Sequence, residues 1–231
     1  MKALLLNGPG KPFSIETIKD PTPEKGYAVA KVLACGSGLT IQHVKAGRIT
    51  VNYPRIIGHE IVGEIVEING QGGDLEIGTP VTAFFYLTCG HCRWCNIDRE
   101  TLCDNFRGYI GREIDGGYAE YIKLPIENFI KIPEEIDYKN NLLETAVVCD
   151  AVATPLKIIK KARISSFDKV GVIGAGGGLG IHMLKMLKLN NISAIGIDTK
   201  TEKFNTCNEN GAEFSVSVSY THLRAHETSN H

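Results

Sequence analysis

Val170-Gly171-Val172-Ile173-Gly174-Ala175-Gly176-Gly177-Gly178-Leu179-Gly180 is the stretch on which the reading of the fold turns. Its first four residues read as an apolar strand, and the glycines after them as a tight turn into a helix. Glycine lets the backbone approach a pyrophosphate, and the helix N-terminus beyond it offers unpaired N–H groups. Gly174, Gly176, Gly177, Leu179 and Gly180 are the expected cofactor-binding positions. A bare turn is the alternative, because a glycine motif alone is weak. The neighbouring sequence favours the cofactor. Residues 179–189 read as a helix, residues 193–197 as a second strand, and the next residue is the acid Asp198. Asp198 lies 18 residues past Gly180, near the separation of about 20 expected for the carboxylate that binds ribose hydroxyls. It would repel a 2′-phosphate, so NAD is expected over NADP, a preference that Lys200 softens. Residues 201–210 read as another helix, stopped by Gly211. Alternating strands and helices mark the start of a parallel, doubly wound sheet.

Upstream the pattern changes. Val152, Leu156, Ile159 and Ala162 recur at helical spacing within residues 142–163, and Lys157, Lys160, Lys161 and Arg163 gather toward the end, where they suit the helix dipole. Residues 1–135 instead read as short strands. The runs 28–34, 61–68, 80–86 and 118–124 are rich in β-branched and aromatic residues. Turn residues such as Pro21-Thr22-Pro23 and Asp115-Gly116-Gly117 punctuate them. This part of the chain reads as a β-rich, barrel-like domain.

Inside it lies Cys89-Gly90-His91-Cys92-Arg93-Trp94-Cys95, followed by Cys103. Two residues between successive cysteines let neighbouring sulfurs reach one ion, and Cys89, Cys92, Cys95 and Cys103 together complete a closed tetrahedron suited to zinc. A closed shell leaves no position for substrate, so such a site is structural. An iron–sulfur cluster and chance clustering are the alternatives.

The chain has 231 residues, of which 43% are hydrophobic and 22% charged, the balance of a chain that builds packed cores. Lys and Arg number 25 against 26 Asp and Glu. The basic excess of a nucleic-acid binder is missing. No apolar run approaches the ~18 residues of a membrane span. The N-terminus breaks after Leu4-Leu5-Leu6, unlike a signal peptide, and seven cysteines without an export signal argue against a disulfide framework. Residues 219–231 are polar and aperiodic and contain His222, His226 and His231. A metal-binding tail is one reading. The string Val218-Ser219-Tyr220-Thr221-His222-Leu223-Arg224-Ala225-His226-Glu227-Thr228 looks instead like translated sequencing-adapter DNA, and it is set aside from the fold reading.

The cysteine run, Gly58-His59-Glu60 and the glycine turn resemble the medium-chain zinc alcohol dehydrogenases, over residues 1 to about 216. The resemblance implies a GroES-like catalytic domain over residues 1–154, with its structural zinc lobe at about 86–105. The first part of an NAD-binding Rossmann domain follows over 155–218, truncated at its C-terminal side, and then a non-native, disordered tail over 219–231. It implies hydride transfer between an alcohol–carbonyl pair and nicotinamide, with a catalytic zinc polarising the oxygen. A small-molecule alcohol or carbonyl substrate, no nucleic-acid or membrane partner, a cytoplasmic location and a homo-oligomer at full length belong to the same expectation.

On this resemblance His59 matches the imidazole ligand of the catalytic zinc, Glu60 the neighbouring acid, and Asp150 the third ligand. The first ligand departs from the pattern. The family segment reads A-C-G-x-C-x-T-D-x-H, whereas this chain reads Ala34-Cys35-Gly36-Ser37-Gly38-Leu39-Thr40-Ile41-Gln42-His43. Gly38 therefore stands at the ligand cysteine and Ile41 at the supporting aspartate. Sliding the frame to make Cys35 the ligand loses the other matches. Thr40 retains the hydroxyl of the family's proton relay, and His43 could pass the proton on; an ordinary turn threonine and surface histidine are the alternative. Two other readings stay open. One is a zinc-independent enoyl or quinone reductase of the same superfamily, and the other is a non-catalytic zinc module or inactive fragment.

Overall fold

The computed structural model describes residues 1–218. It divides into a first unit, Met1–Cys149, and a second that begins at Asp150. In the first unit, β1 (Lys2–Leu6) lies between β2 (Phe13–Thr17) and β4 (Arg55–Ile56). A five-stranded sheet is built from β3 (Tyr27–Cys35), β5 (Ile61–Asn69), β6 (Pro80–Ala83), β7 (Tyr121–Pro125) and β8 (Phe129–Lys131), in the order β7-β3-β5-β6-β8. Its pairings are antiparallel. Ala28, Ala30, Ile61, Ile65, Val81, Ile122 and Leu124 come from alternating positions of these strands and form one buried cluster, as period-2 patterning requires. The register of β3 on β5 shifts between Val29 and Ala30 and again between Val32 and Ala34. Such irregularities bend a strand and re-aim the side chains beyond them, here the segment leading to Cys35. A short helix, α1 (Leu39–Lys45), follows and buries Ile41 and Val44 against Leu6, Val51 and Ile57.

Two strands are shorter than their patterns suggest. The run 80–86 leaves the ladder after Ala83. Beyond it Phe84 N–H donates to the Asn128 carbonyl at 2.8 Å, and Asn128 Nδ2 donates back to the carbonyls of Phe84 at 2.6 Å and Tyr86 at 2.9 Å. The side-chain amide satisfies backbone groups that a strand partner would otherwise take, and the aromatic rings pack on one another. The run 118–124 joins its sheet only at Tyr121, because Tyr118 is engaged elsewhere: its N–H donates to Ile57 O at 3.0 Å and its carbonyl accepts from Leu4 N at 2.8 Å.

The expected helix over 142–163 is two helices. α2 (Leu142–Ala146) belongs to the first unit, Val148–Val152 forms a widened π-type turn, and α3 (Ala153–Ala162) follows. Pro155 has no N–H to give to the preceding turn and its ring crowds the carbonyl four residues back, so it suits only the first turn of a helix. The second unit continues as β9 (Lys169–Ile173), α4 (Gly178–Leu189), β10 (Ser193–Asp198), a 3-10 turn at Thr201–Lys203, α5 (Phe204–Glu209) and β11 (Phe214–Ser217). The three strands are parallel, in the order β11-β10-β9. Ile159, Val172, Leu184, Leu187, Ala194 and Cys207 form its core. Gly211 ends the last helix at φ +124°, a conformation costly for any side chain. The tail read above as adapter-like, residues 219–231, lies outside the described residues.

Candidate active site

The glycine turn sits at the C-terminal end of β9, the edge of a parallel sheet where ligands bind. Gly174, at φ +72°, and Ala175 both donate their N–H groups to Ile197 O, at 2.8 and 3.1 Å. The turn is thereby tied to β10. Asp198 Oδ2 accepts the Gly176 N–H at 2.9 Å, and Oδ1 accepts the Lys200 N–H at 3.0 Å. Lys203 Nζ donates to the Gly176 carbonyl at 2.9 Å. Burial opposes the Asp198 charge, yet the N–H groups of Lys200 and Gly176 and the nearby Lys203 hold its carboxyl below the ordinary value. A Cβ on Gly180 would come within 2.7 Å of the Ala175 backbone, and one on Gly177 within 3.2 Å of Gly174 O. The glycines let strand, turn and helix close to a distance no side chain allows. Gly177 caps α4 without a side-chain hydrogen bond, so no side chain competes with an anion for the first-turn N–H groups. Leu179 is half exposed on that turn. These residues form a cradle that fits a dinucleotide pyrophosphate.

In the cysteine lobe, Sγ of Cys92 lies 3.5 Å from that of Cys95 and 4.0 Å from that of Cys103, and Cys103 lies 3.5 Å from Cys89. All four sulfurs fall within 4.8 Å of one another. Thiolates around zinc at ~2.3 Å would stand about 3.8 Å apart, so the set fits one tetrahedral ion. Gly90 turns at φ +71° and Asp98 at φ 56°, folding the chain so that the sulfurs converge. The backbone N–H of His91 leads the groups that lower the Cys89 thiol, to about 6. Backbone N–H groups, that of Cys95 first, lower Cys92. Burial pushes the Cys95 thiol up to about 12. A cation is what would let all four ionise together.

A third cluster gathers around Gly58-His59-Glu60. Gly58 has φ +96°, and a Cβ there would lie 2.7 Å from the Tyr118 ring and 2.8 Å from Cys35 Sγ. His59 and Glu60 are both buried. The His59 ring stacks on Phe85, centroids 4.7 Å apart and 25° between planes, and Phe85 stacks in turn on Tyr109. The Glu60 carboxylate lies under the 36–38 turn: a Cβ on Gly36 would meet Oε2 at 2.5 Å and one on Gly38 would meet it at 3.8 Å. Thr40, half-buried, is in the first turn of α1. His43 is in the last turn, where Arg48 Nη1 donates to its Nδ1 at 3.2 Å. Cys149 donates its thiol weakly to the carbonyls of His59 and Ala146, at 3.9 and 3.8 Å. Asp150 opens the second unit, where its Oδ1 accepts from Thr154 Oγ1 at 2.9 Å. Sequence reasoning did not single out Phe85 or Lys203. The alternation of Phe84-Phe85-Tyr86 signals that a ring turns inward, without saying which one meets His59.

Residues 24–134 match the alcohol dehydrogenase GroES-like domain. Over 220 residues the chain is 32% identical to an alcohol dehydrogenase of Geobacillus stearothermophilus, covering 94% of this chain and 63% of that protein. The chain is thus similar to alcohol dehydrogenases over most of its length. It is also 30% identical to an acryloyl-coenzyme A reductase of Sulfurisphaera tokodaii, over 88% of this chain and 60% of that protein. Among solved structures, the RspB alcohol dehydrogenase of Escherichia coli, complexed with NADH, superposes with a TM-score of 0.82 at 29% identity, covering 98% of this chain and 66% of that one. The chain thus spans 60–63% of the length of these two curated relatives. Its fold is that of the family: a β-rich GroES-like domain followed by part of a Rossmann sheet. Among the described residues no helix is long and apolar enough to cross a membrane.

Proposed function

We propose that the protein is an NAD-dependent oxidoreductase that moves a hydride between a small alcohol–carbonyl pair and nicotinamide. The first unit would be its catalytic domain and the second its cofactor domain. The observation that carries this reading is the glycine turn clamped to Asp198, with the acid ready at the end of β10. Gly174, Gly176, Gly177, Leu179 and Gly180 would take the pyrophosphate, and Asp198 the adenosine ribose. Bound NAD supplies the hydride acceptor, or as NADH the donor. A carboxylate at this position disfavours a 2′-phosphate, so NAD is proposed over NADP. Thr40 would exchange the proton of the reacting oxygen and His43 would carry it outward. Zinc in the cysteine lobe would be structural, since its four thiolates leave no open position. Seven cysteines, none in a disulfide among the described residues, suit a reducing compartment, and a cytoplasmic setting is proposed accordingly.

Within the first unit His59 offers one imidazole and Glu60 one carboxylate, where a catalytic zinc takes three protein ligands plus a water. No step is derived through such an ion. This favours a second reading, in which the hydride goes to a double bond already made electrophilic by an adjacent carbonyl. The relative named as an acryloyl-coenzyme A reductase supports it.

Titration of the purified chain with NADH, followed by nicotinamide fluorescence, tests the cofactor reading. Saturable binding that weakens in Asp198→Asn is the expected result. Equal, non-saturating signals from both proteins would rule it out. The protein at the length of its relatives, offered NADH with a ketone or with a conjugated enoyl thioester, separates the two reaction readings.

A further inference from the structure

We infer that Arg112 binds an anionic group of the substrate, a carboxylate or phosphate set apart from the reacting carbon. The inference deepens the proposed reading and rests on it, since His59 has to mark the reaction centre. It starts from the turn that carries Arg112. Tyr109 N–H donates to Glu113 Oε2 at 2.6 Å. The N–H groups of Arg112 and Glu113 donate to the Tyr109 carbonyl at 3.2 and 3.1 Å, and that of Gly111 donates to Ile114 O at 2.9 Å. The turn is thereby fixed, and it lies on the segment of His59. A Cβ on Gly111 would stand 3.0 Å from Gly58 N and 3.1 Å from Gly58 O.

The side chains continue that contact. The His59 ring stacks on Phe85 with centroids 4.7 Å apart, and Phe85 on Tyr109 at 5.6 Å. The Arg112 guanidinium carbon lies 4.5 Å from the Tyr109 ring centroid. A cation over a ring is attracted by the ring quadrupole. That attraction holds the guanidinium in place and leaves its charge without a counter-ion.

The fold does not supply one. Arg112 is half-buried, and its Nε is buried with no hydrogen-bond partner. Among the described residues no carboxylate forms an ion pair with it, whereas Arg55, Arg93 and Arg107 each have one, at 2.8, 3.4 and 3.4 Å. The acids beside it in the chain are engaged elsewhere: Glu113 takes the Tyr109 N–H, and Asp115 pairs with Arg55. A partly desolvated cation gains most from a charged, hydrogen-bonded partner. With Nε enclosed, a bound anion meets the outer Nη groups. Two stacked rings separate Arg112 from His59, so the anion is joined to the reacting carbon through a spacer of several atoms.

The test is NMR titration of the purified 231-residue chain, read on the ring protons of Tyr109 and His59. The probes are two pairs, γ-hydroxybutyrate with butanediol and glycerol phosphate with glycerol. At least one anion is expected to saturate and to bind about tenfold or more tighter than its neutral counterpart. Whichever anion binds better names the group. Arg112→Met should lose that preference and leave the neutral alcohols unchanged, while Arg112→Lys, which keeps the charge without the fork, should fall between. Equal binding within both pairs overturns the inference, as does a folded Arg112→Met chain that keeps the preference, or no saturable anion binding at all. NADH titration of the same samples separates the two readings. Lost anion preference with NADH binding intact overturns this inference alone, and anion preference without NADH binding strikes the cofactor reading instead.

Discussion

Asp198 Oδ2 accepts the Gly176 N–H at 2.9 Å while Lys203, five residues on, donates to the carbonyl of the same glycine. One residue of the turn is thus held at both its donor and its acceptor. A hydrogen bond to a charged group contributes about 1.5–3 kcal/mol. Asp198→Asn should therefore weaken NADH binding by about tenfold or more. Part of that loss comes from a loosened turn, so a fall in melting temperature without NADH should accompany it. The lowered carboxyl also fixes a pH dependence. Its stabilisation is present above the pKa of an unfolded aspartate and is lost as pH falls through the lower folded value. Urea midpoints of wild type and Asp198→Asn should differ at pH 7 and converge as the pH drops below the carboxylate range. A gap that persists in acid would refute this.

Gly180 and Gly176 should respond differently to alanine. A Cβ on Gly180 strikes backbone, the Ala175 Cα and carbonyl at 2.7 Å. One on Gly176 meets side-chain atoms only: the outer Lys203 carbons, which can rotate aside, the Lys203 Cβ at 2.8 Å, which moves only with its backbone, and the Asp198 carboxylate at 3.1 Å. Gly180→Ala should destabilise the second unit by about 1–3 kcal/mol and abolish NADH binding. Gly176→Ala should cost less than Gly180→Ala, because part of its clash is with side-chain carbons that can rotate, while still perturbing the turn. Thermal melts that rank the two variants in the opposite order would contradict the packing argument.

These positions show what a sequence can reveal. The glycine turn and the four cysteines are legible because their chemistry is local: fixed spacings bring the groups together whatever the rest of the chain does. Asp198 is legible because a strand end sets its place. The wall around His59 is not, because Phe85 reaches it from the segment after β6, and only the pairing of β5 with β6 brings the two rings face to face. The helix over 142–163 is misread for a related reason. Apolar spacing continues through Val147 and Val152, while Pro155 decides locally where a regular helix can begin. The strand 80–86 ends early because Asn128, more than forty residues away, claims its carbonyls.

The cysteine lobe should depend on its ion for order. Its segments are 3-10 turns at Cys95–Ile97 and Glu100–Leu102, too short to hold themselves. Arg93 is largely exposed beside them. Chelation should expose residues 89–103 to trypsin at Arg93 and Arg99, with the remaining strands cut more slowly, and zinc should restore resistance. Cleavage at equal rates with and without chelator would show that the lobe stands without metal.

Phe85 should set the environment of the His59 ring. At 4.7 Å and 25°, the two rings are stacked closely enough for the benzene ring current to shield the imidazole protons. Phe85→Leu keeps an apolar side chain against the core cluster that Phe85 joins, at a cost below about 1.5 kcal/mol if the site repacks. The His59 carbon-bound ring protons should then move downfield in the NMR spectrum. NADH affinity should stay within about twofold, because Phe85 and the glycine turn belong to separate packed clusters. The variant separates orientation of His59 from cofactor binding. Unmoved His59 resonances in a folded Phe85→Leu chain would mean that the stack does not form in solution.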